Sequence, residues 1–97
     1  MANVVWKWPL AISGGVQELT VPAGTQFLHV DFQGNNLCLW GLCDPSEPSV
    51  VRQIKVLLTG QDDDGAASSD FVGTAQAVLK YRYATERVVV HVFEIKP

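Results

Sequence analysis

Positive charge is scarce in this sequence. Seven lysines and arginines stand against ten aspartates and glutamates in 97 residues, a net charge of −3. Proteins that grip duplex nucleic acid usually carry a basic surplus that displaces counterions from phosphates. Duplex binding is therefore not expected, although a local basic patch has room for a small anion. Long apolar runs are also missing: none approaches the ~18 residues of a membrane-crossing helix. No charged segment followed by an apolar one opens the chain, so no signal peptide is expected. The acidic balance argues against an anionic membrane surface as partner. Cysteine is limited to Cys38 and Cys43. Their odd spacing sends them to opposite faces of a strand. Five residues of extended chain hold them ~16 Å apart, beyond disulfide reach. Two separate reduced thiols in a cytosolic setting follow.

What is present is apolar and β-prone. With 47% hydrophobic and 18% charged residues, the chain is globular rather than disordered. Its length allows one domain with one modest core. Valine, isoleucine, threonine and aromatics form short runs. Turn signals separate them at Ser13-Gly14-Gly15, Pro22-Ala23-Gly24, Gly34-Asn35, Asp44-Pro45 and Asp64-Gly65. This pattern predicts an all-β fold, a compact antiparallel sandwich or small barrel with little or no helix. The expected strands are 3–8, 16–21, 26–33, 36–43, 50–59, 70–75, 77–83 and 87–95. The segment after Ser69 carries two periods. Phe71, Ala75, Val78, Leu79 and Arg82 fall at helical spacing, whereas Leu79, Tyr81 and Tyr83 alternate with Lys80 and Arg82. Gly73 weakens a helix there by ~1 kcal/mol, and strands are the favoured reading.

The stretch Phe27 to Leu42 reads as a hairpin. A two-residue primed turn at Gly34-Asn35 sets Gln33 opposite Asn36. Phe32 then faces Leu37, Val30 faces Leu39 and Leu28 faces Gly41, all apolar and core-directed. The other side pairs Asp31 with Cys38, His29 with Trp40 and Phe27 with Leu42. That mixed side is either a ligand face or a second core layer.

An ordered series of short motifs runs through the chain: Trp6-Lys7-Trp8-Pro9-Leu10, Val21-Pro22-Ala23-Gly24, Leu28-His29-Val30, Cys38-Leu39-Trp40-Gly41-Leu42-Cys43-Asp44-Pro45, Thr59-Gly60, Phe71-Val72-Gly73-Thr74 and His91-Val92-Phe93-Glu94. The series resembles a family of small phage-encoded proteins of unknown function, with a W-K-Y-P-L start, a C-L-W-A-L-V-D-P centre and an H-V-F-E end. The resemblance spans almost the whole chain. Trp8 stands where the family has tyrosine or phenylalanine, Cys43 replaces a valine and Leu58 replaces a threonine. The family brings no established catalytic residues. It implies a phage origin and action inside an infected bacterium, in the host cytoplasm.

His29, Asp31 and Trp40 offer an indole for stacking and two groups for hydrogen bonds. The plainer reading makes them a second layer of core. Cys38 is the one nucleophile near His29, diagonally placed, and a Cys–His pair requires it exposed. His91, among Val89, Phe93 and Ile95, reads as a satisfied core histidine. Zinc held by both histidines and Asp31 has no supporting spacing, and Asp62-Asp63-Asp64-Gly65 lacks the alternating ligands of a calcium loop. No metal or cofactor is expected. Lys80 and Arg82, joined by Arg87, form a basic strip, with Tyr81 and Tyr83 pointing the other way. It is either a phosphate cradle or a charged edge that blocks aggregation. Trp6 and Trp8 share a face opposite Lys7.

These features favour a non-enzymatic phage accessory binding protein, with interference in host defence as its context. Its partner is then a host protein or a small nucleotide signal. A nucleotide would stack on Trp40 or Trp8, with Arg82 and Lys80 on its phosphates, and self-association into a homo-oligomer is expected. The alternatives are a structural or virion-associated protein and a small histidine-dependent enzyme.

Overall fold

A computed structural model describes residues 3–12, 15–62 and 69–96. Seven strands appear among them: β1 (Val4–Leu10), β2 (Val16–Pro22), β3 (Gln26–Gln33), β4 (Asn36–Cys43), β5 (Ser49–Leu58), β6 (Ser69–Lys80) and β7 (Thr85–Ile95). They form two antiparallel sheets, one ordered β1-β4-β3 and the other β2-β5-β7-β6. The all-β sandwich expected from the sequence is what the chain forms, with no helix among the described residues.

The core lies between the sheets. Leu37, Leu39 and Val30 from the three-stranded sheet meet Ile54, Val56, Val90 and Val92 from the four-stranded one, all 2% exposed or less. At ~25 cal/mol per Å², such burial is the main stabilising term of the domain. Pro9 sits on β1, an edge strand, where its missing N–H costs least. At the Gly34-Asn35 turn, Gly34 has φ +61°, and among the described residues no other residue type takes positive φ. This is the II′ pattern, which needs glycine at the first central position.

Two sequence expectations are corrected. The hairpin register holds from Gln33–Asn36 to His29–Trp40, but then shifts: Phe27 pairs with Gly41 and Gln26 with Leu42. Leu28 is the bulged residue and is 47% exposed, while Phe27 turns inward and packs against the core. The larger aromatic takes the inner position because Trp8 meets its ring edge-on at 6.2 Å and the Arg52 guanidinium lies 4.3 Å over its face. Secondly, the expected strands 70–75 and 77–83 are one strand, β6, with a bulge at Val72. The chain reverses only at 81–84, where the Tyr81 N–H donates to the Ala84 carbonyl at 2.8 Å. The helical spacing after Ser69 has no counterpart in the structure. Asp63, Asp64 and Gly65 of the acidic loop lie outside the described residues.

The turns fall at two ends of the sandwich. At one end, the β3–β4 turn is tied to the β6–β7 turn: the Asn35 side chain donates to the Lys80 carbonyl (2.6 Å) and accepts from the Lys80 N–H (2.9 Å). This amide acts as one extra ladder rung between the two sheets. At the other end, the Asp44 carboxylate accepts from the Ser46 hydroxyl (2.7 Å) and the Ser46 N–H (3.0 Å). Those bonds hold its pKa below the ordinary aspartate value, the hydroxyl contributing most.

Candidate functional site

The outward side of the three-stranded sheet carries the mixed residues. Alternation along the central strand β4 sends Leu37 and Leu39 inward and Cys38 and Trp40 outward. Register then sets His29 of β3 on one side of Trp40 and Lys7 of β1 on the other. The His29 and Trp40 ring centroids are 6.0 Å apart with planes 39° from parallel. His29 Nε2 lies 3.7 Å from the Asp31 carboxylate, with the two side chains 65% and 55% exposed. Trp40 is half-buried. The second core layer considered from the sequence is therefore not formed here: His29 and Asp31 meet solvent.

Lys7 and Gln33 complete this face, and neither role was visible in the sequence. Lys7 Nζ donates to the Gln33 side-chain oxygen at 2.6 Å. Since β4 separates β1 from β3, this bond spans the central strand. Lys7 is level with Trp40 and Gln33 with Asn36, so the span crosses β4 at Cys38, midway between. That accounts for an outward-facing thiol that is only 4% exposed. Its sulfur lies 3.7 Å from the Asn36 carbonyl oxygen, an arrangement that does not present a thiolate to His29. Replacing Lys7 with alanine is expected to uncover it. Native K7A should react with an aromatic disulfide reagent at least about tenfold faster than the wild type, at unchanged melting temperature. Equal rates would place the cover elsewhere.

The remaining sequence candidates separate into distinct places. Trp8 is on the inward side of β1, level with Leu39, and packs on the core, so it does not share the face of Trp40. Trp6 follows it inward in register but is partly exposed, its ring 6.3 Å from that of Trp8. Lys80 ends β6 and Arg82 sits in the following turn, not on a strand; its guanidinium lies 5.4 Å over the Tyr83 ring. Arg82 and Tyr83 are thus neighbours rather than opposite-facing. His91 is on the outward side of the four-stranded sheet. Thr59 Oγ1 is 2.8 Å from its Nε2 and Thr74 Oγ1 is 2.9 Å from its Nδ1. Hydroxyls both donate and accept, so they satisfy the ring in any tautomer. His29 and His91 lie on opposite outer surfaces, which rules out the shared zinc site. Among the described residues no cluster of three metal-ligating groups occurs.

Hollows lie elsewhere on the surface. One of about 490 Å³ is lined by Glu18, Val51, Arg52, Gln53, Glu94 and Ile95. Another, of about 330 Å³, includes Ala23, Gln26, Cys43, Asp44 and Glu47. Neither includes His29, Asp31 or Trp40. No helix among the described residues is long and apolar enough to cross a membrane.

No curated protein and no solved structure matches the chain. A family model does, over residues 1–97. The chain belongs to the family described as Domain of unknown function (DUF7352).

Proposed function

We propose that this protein is a non-enzymatic binding module that docks the outward face of its three-stranded sheet on another protein. The observation that carries this reading is the half-buried Trp40 at the centre of an uncovered sheet face, flanked by exposed His29 and Asp31 and by Lys7. Tryptophan ringed by polar groups is the usual composition of an interface centre and its rim. A small-molecule site is typically concave and encloses most of its ligand, and the hollows described above include none of His29, Asp31, Trp40 and Lys7. A protein surface therefore suits it better than a free nucleotide. The resemblance to small phage-encoded proteins supplies the setting: an accessory protein made in an infected bacterium, acting in the host cytoplasm on a component of host defence.

The test compares wild type with W40A and H29A. A bacterial protein captured by immobilised wild type is purified and titrated against each variant. W40A is expected to weaken binding at least about tenfold with the melting temperature little changed. Capture that survives W40A overturns the assignment of the face. A melting temperature raised by a cyclic or linear nucleotide, and lost in W40A, would replace the protein partner with a sequestered signal.

A further inference from the structure

A second surface lies at the end of the sandwich where the two turns meet, away from the face of Trp40. Tyr83 is 88% exposed and Tyr81 53%. Arg82 stands between them and covers one side of the Tyr83 ring. Lys80 precedes them, and Arg87 follows on the return strand opposite Val78. Among the described residues no carboxylate forms an ion pair with Lys80, Arg82 or Arg87. Three of the seven cations of an acidic chain thus fall in or beside this turn, with one exposed carboxylate, Glu86, among them and two exposed phenol rings. The turn is also held in shape. Asn35 bonds both backbone groups of Lys80, and the Tyr81 N–H is fixed to Ala84. Ordering it on binding costs little, since the entropy is already spent.

We infer that this tip is a stacking site for single-stranded nucleic acid. The ring faces decide between polyanions. A carboxylate is repelled by the electron-rich face of tyrosine, so an acidic protein segment would use the cations and waste the rings. A nucleobase stacks on those faces while its phosphates meet Arg82, Lys80 and Arg87, which uses every group present. A duplex hides its base faces and gains nothing from Tyr81 and Tyr83. The net charge of −3 repels a polyanion from the rest of the molecule, which limits the footprint to a few nucleotides at the tip.

The probe is a short fluorescein-labelled oligothymidylate, read by anisotropy against the whole protein. Binding should saturate, and affinity should fall about 20-fold from about 50 to about 200 mM NaCl, as three neutralised phosphates at ~0.7 counterions each require. Y83A should weaken binding about tenfold, Y83F should retain it, and R82A should reduce the salt slope by about 0.7. Tyr83 is so exposed that Y83A leaves the melting temperature unchanged, which separates lost stacking from lost fold. W40A leaves this binding intact, so the site stands or falls apart from the protein-docking face. Absence of saturable binding overturns the inference. So does binding that Y81A and Y83A leave unchanged and that poly-glutamate displaces; the tip would then be a contact for acidic protein.

Discussion

Gly41→Val is expected to lower the unfolding free energy by about 3 kcal/mol, the upper part of the usual range for overpacking a core. A Cβ at this position would lie 2.8 Å from Trp8 Cζ3, 3.0 Å from Thr25 Cγ2 and 3.3 Å from the Gln26 carbonyl oxygen. The first contact is with an indole that is itself wedged against Phe27 and Trp6. The third is with backbone. Neither has an easy way to move. The contrast is Gly24, which has open space around it but φ +79°. Alanine there should cost only about 1 kcal/mol, through strain of the left-handed backbone. Urea denaturation of both variants checks the pair. Should Gly41→Val match Gly24→Ala, the indole is not confined as the structure has it. Trp8→Phe in the Gly41→Ala background should recover part of the loss, because contacting residues couple.

The same position shows what could be read in the sequence and what could not. Alternation in Phe27 to Leu42 located the turn and the pairing of Val30 with Leu39 and His29 with Trp40, because a two-residue turn fixes register and an apolar face has only one sensible direction. Beyond His29 the pattern became ambiguous. Phe27 and Leu28 are both apolar, and either suits the core. The choice of Phe27 depends on Trp8 of β1 and Arg52 of β5, which no local pattern reveals, and a bulge leaves little trace in sequence. The reversal at 81–84 was missed for a related reason. Tyr81, Arg82, Tyr83 and Ala84 include no glycine, proline, asparagine or aspartate, and none has positive φ. The turn is set by pairing on either side and by Asn35 from another sheet. The trio His29, Asp31 and Trp40 was legible because one hairpin carries all three. Lys7 was not, since the pairing of β1 with β4 sets it beside Trp40, far away in the sequence.

Arg52 was passed over entirely in the sequence, and its loss carries the second large expected effect. Its Nε and Nη2 donate to the two Glu94 oxygens at 2.5 and 2.6 Å, its Nη1 donates to the Thr25 carbonyl, and its plane lies on Phe27. Arginine alone supplies this fork, and lysine would satisfy one partner at a time. The side chains of Arg52 and Glu94 are 23% and 19% exposed, so solvent screens the pair only partly. Arg52→Ala leaves a largely desolvated carboxylate and a carbonyl without its donor. The expected cost is about 3 kcal/mol, at the lower end for a broken buried pair because some water reaches it. If the penalty comes from the orphaned charge, Arg52→Met with Glu94→Leu should recover about half of it, since apolar side chains of similar size restore packing. The Thr25 carbonyl stays unpaired in that double variant, which keeps recovery incomplete. Urea denaturation at low and high NaCl separates the possibilities. A double variant no better than Arg52→Ala would mean that the guanidinium stabilises through Thr25 and Phe27, and that Glu94 is a bystander. That outcome would leave Arg52 on Phe27 and Thr25 as the joint between the sheets, independent of the ion pair that lies within the four-stranded sheet.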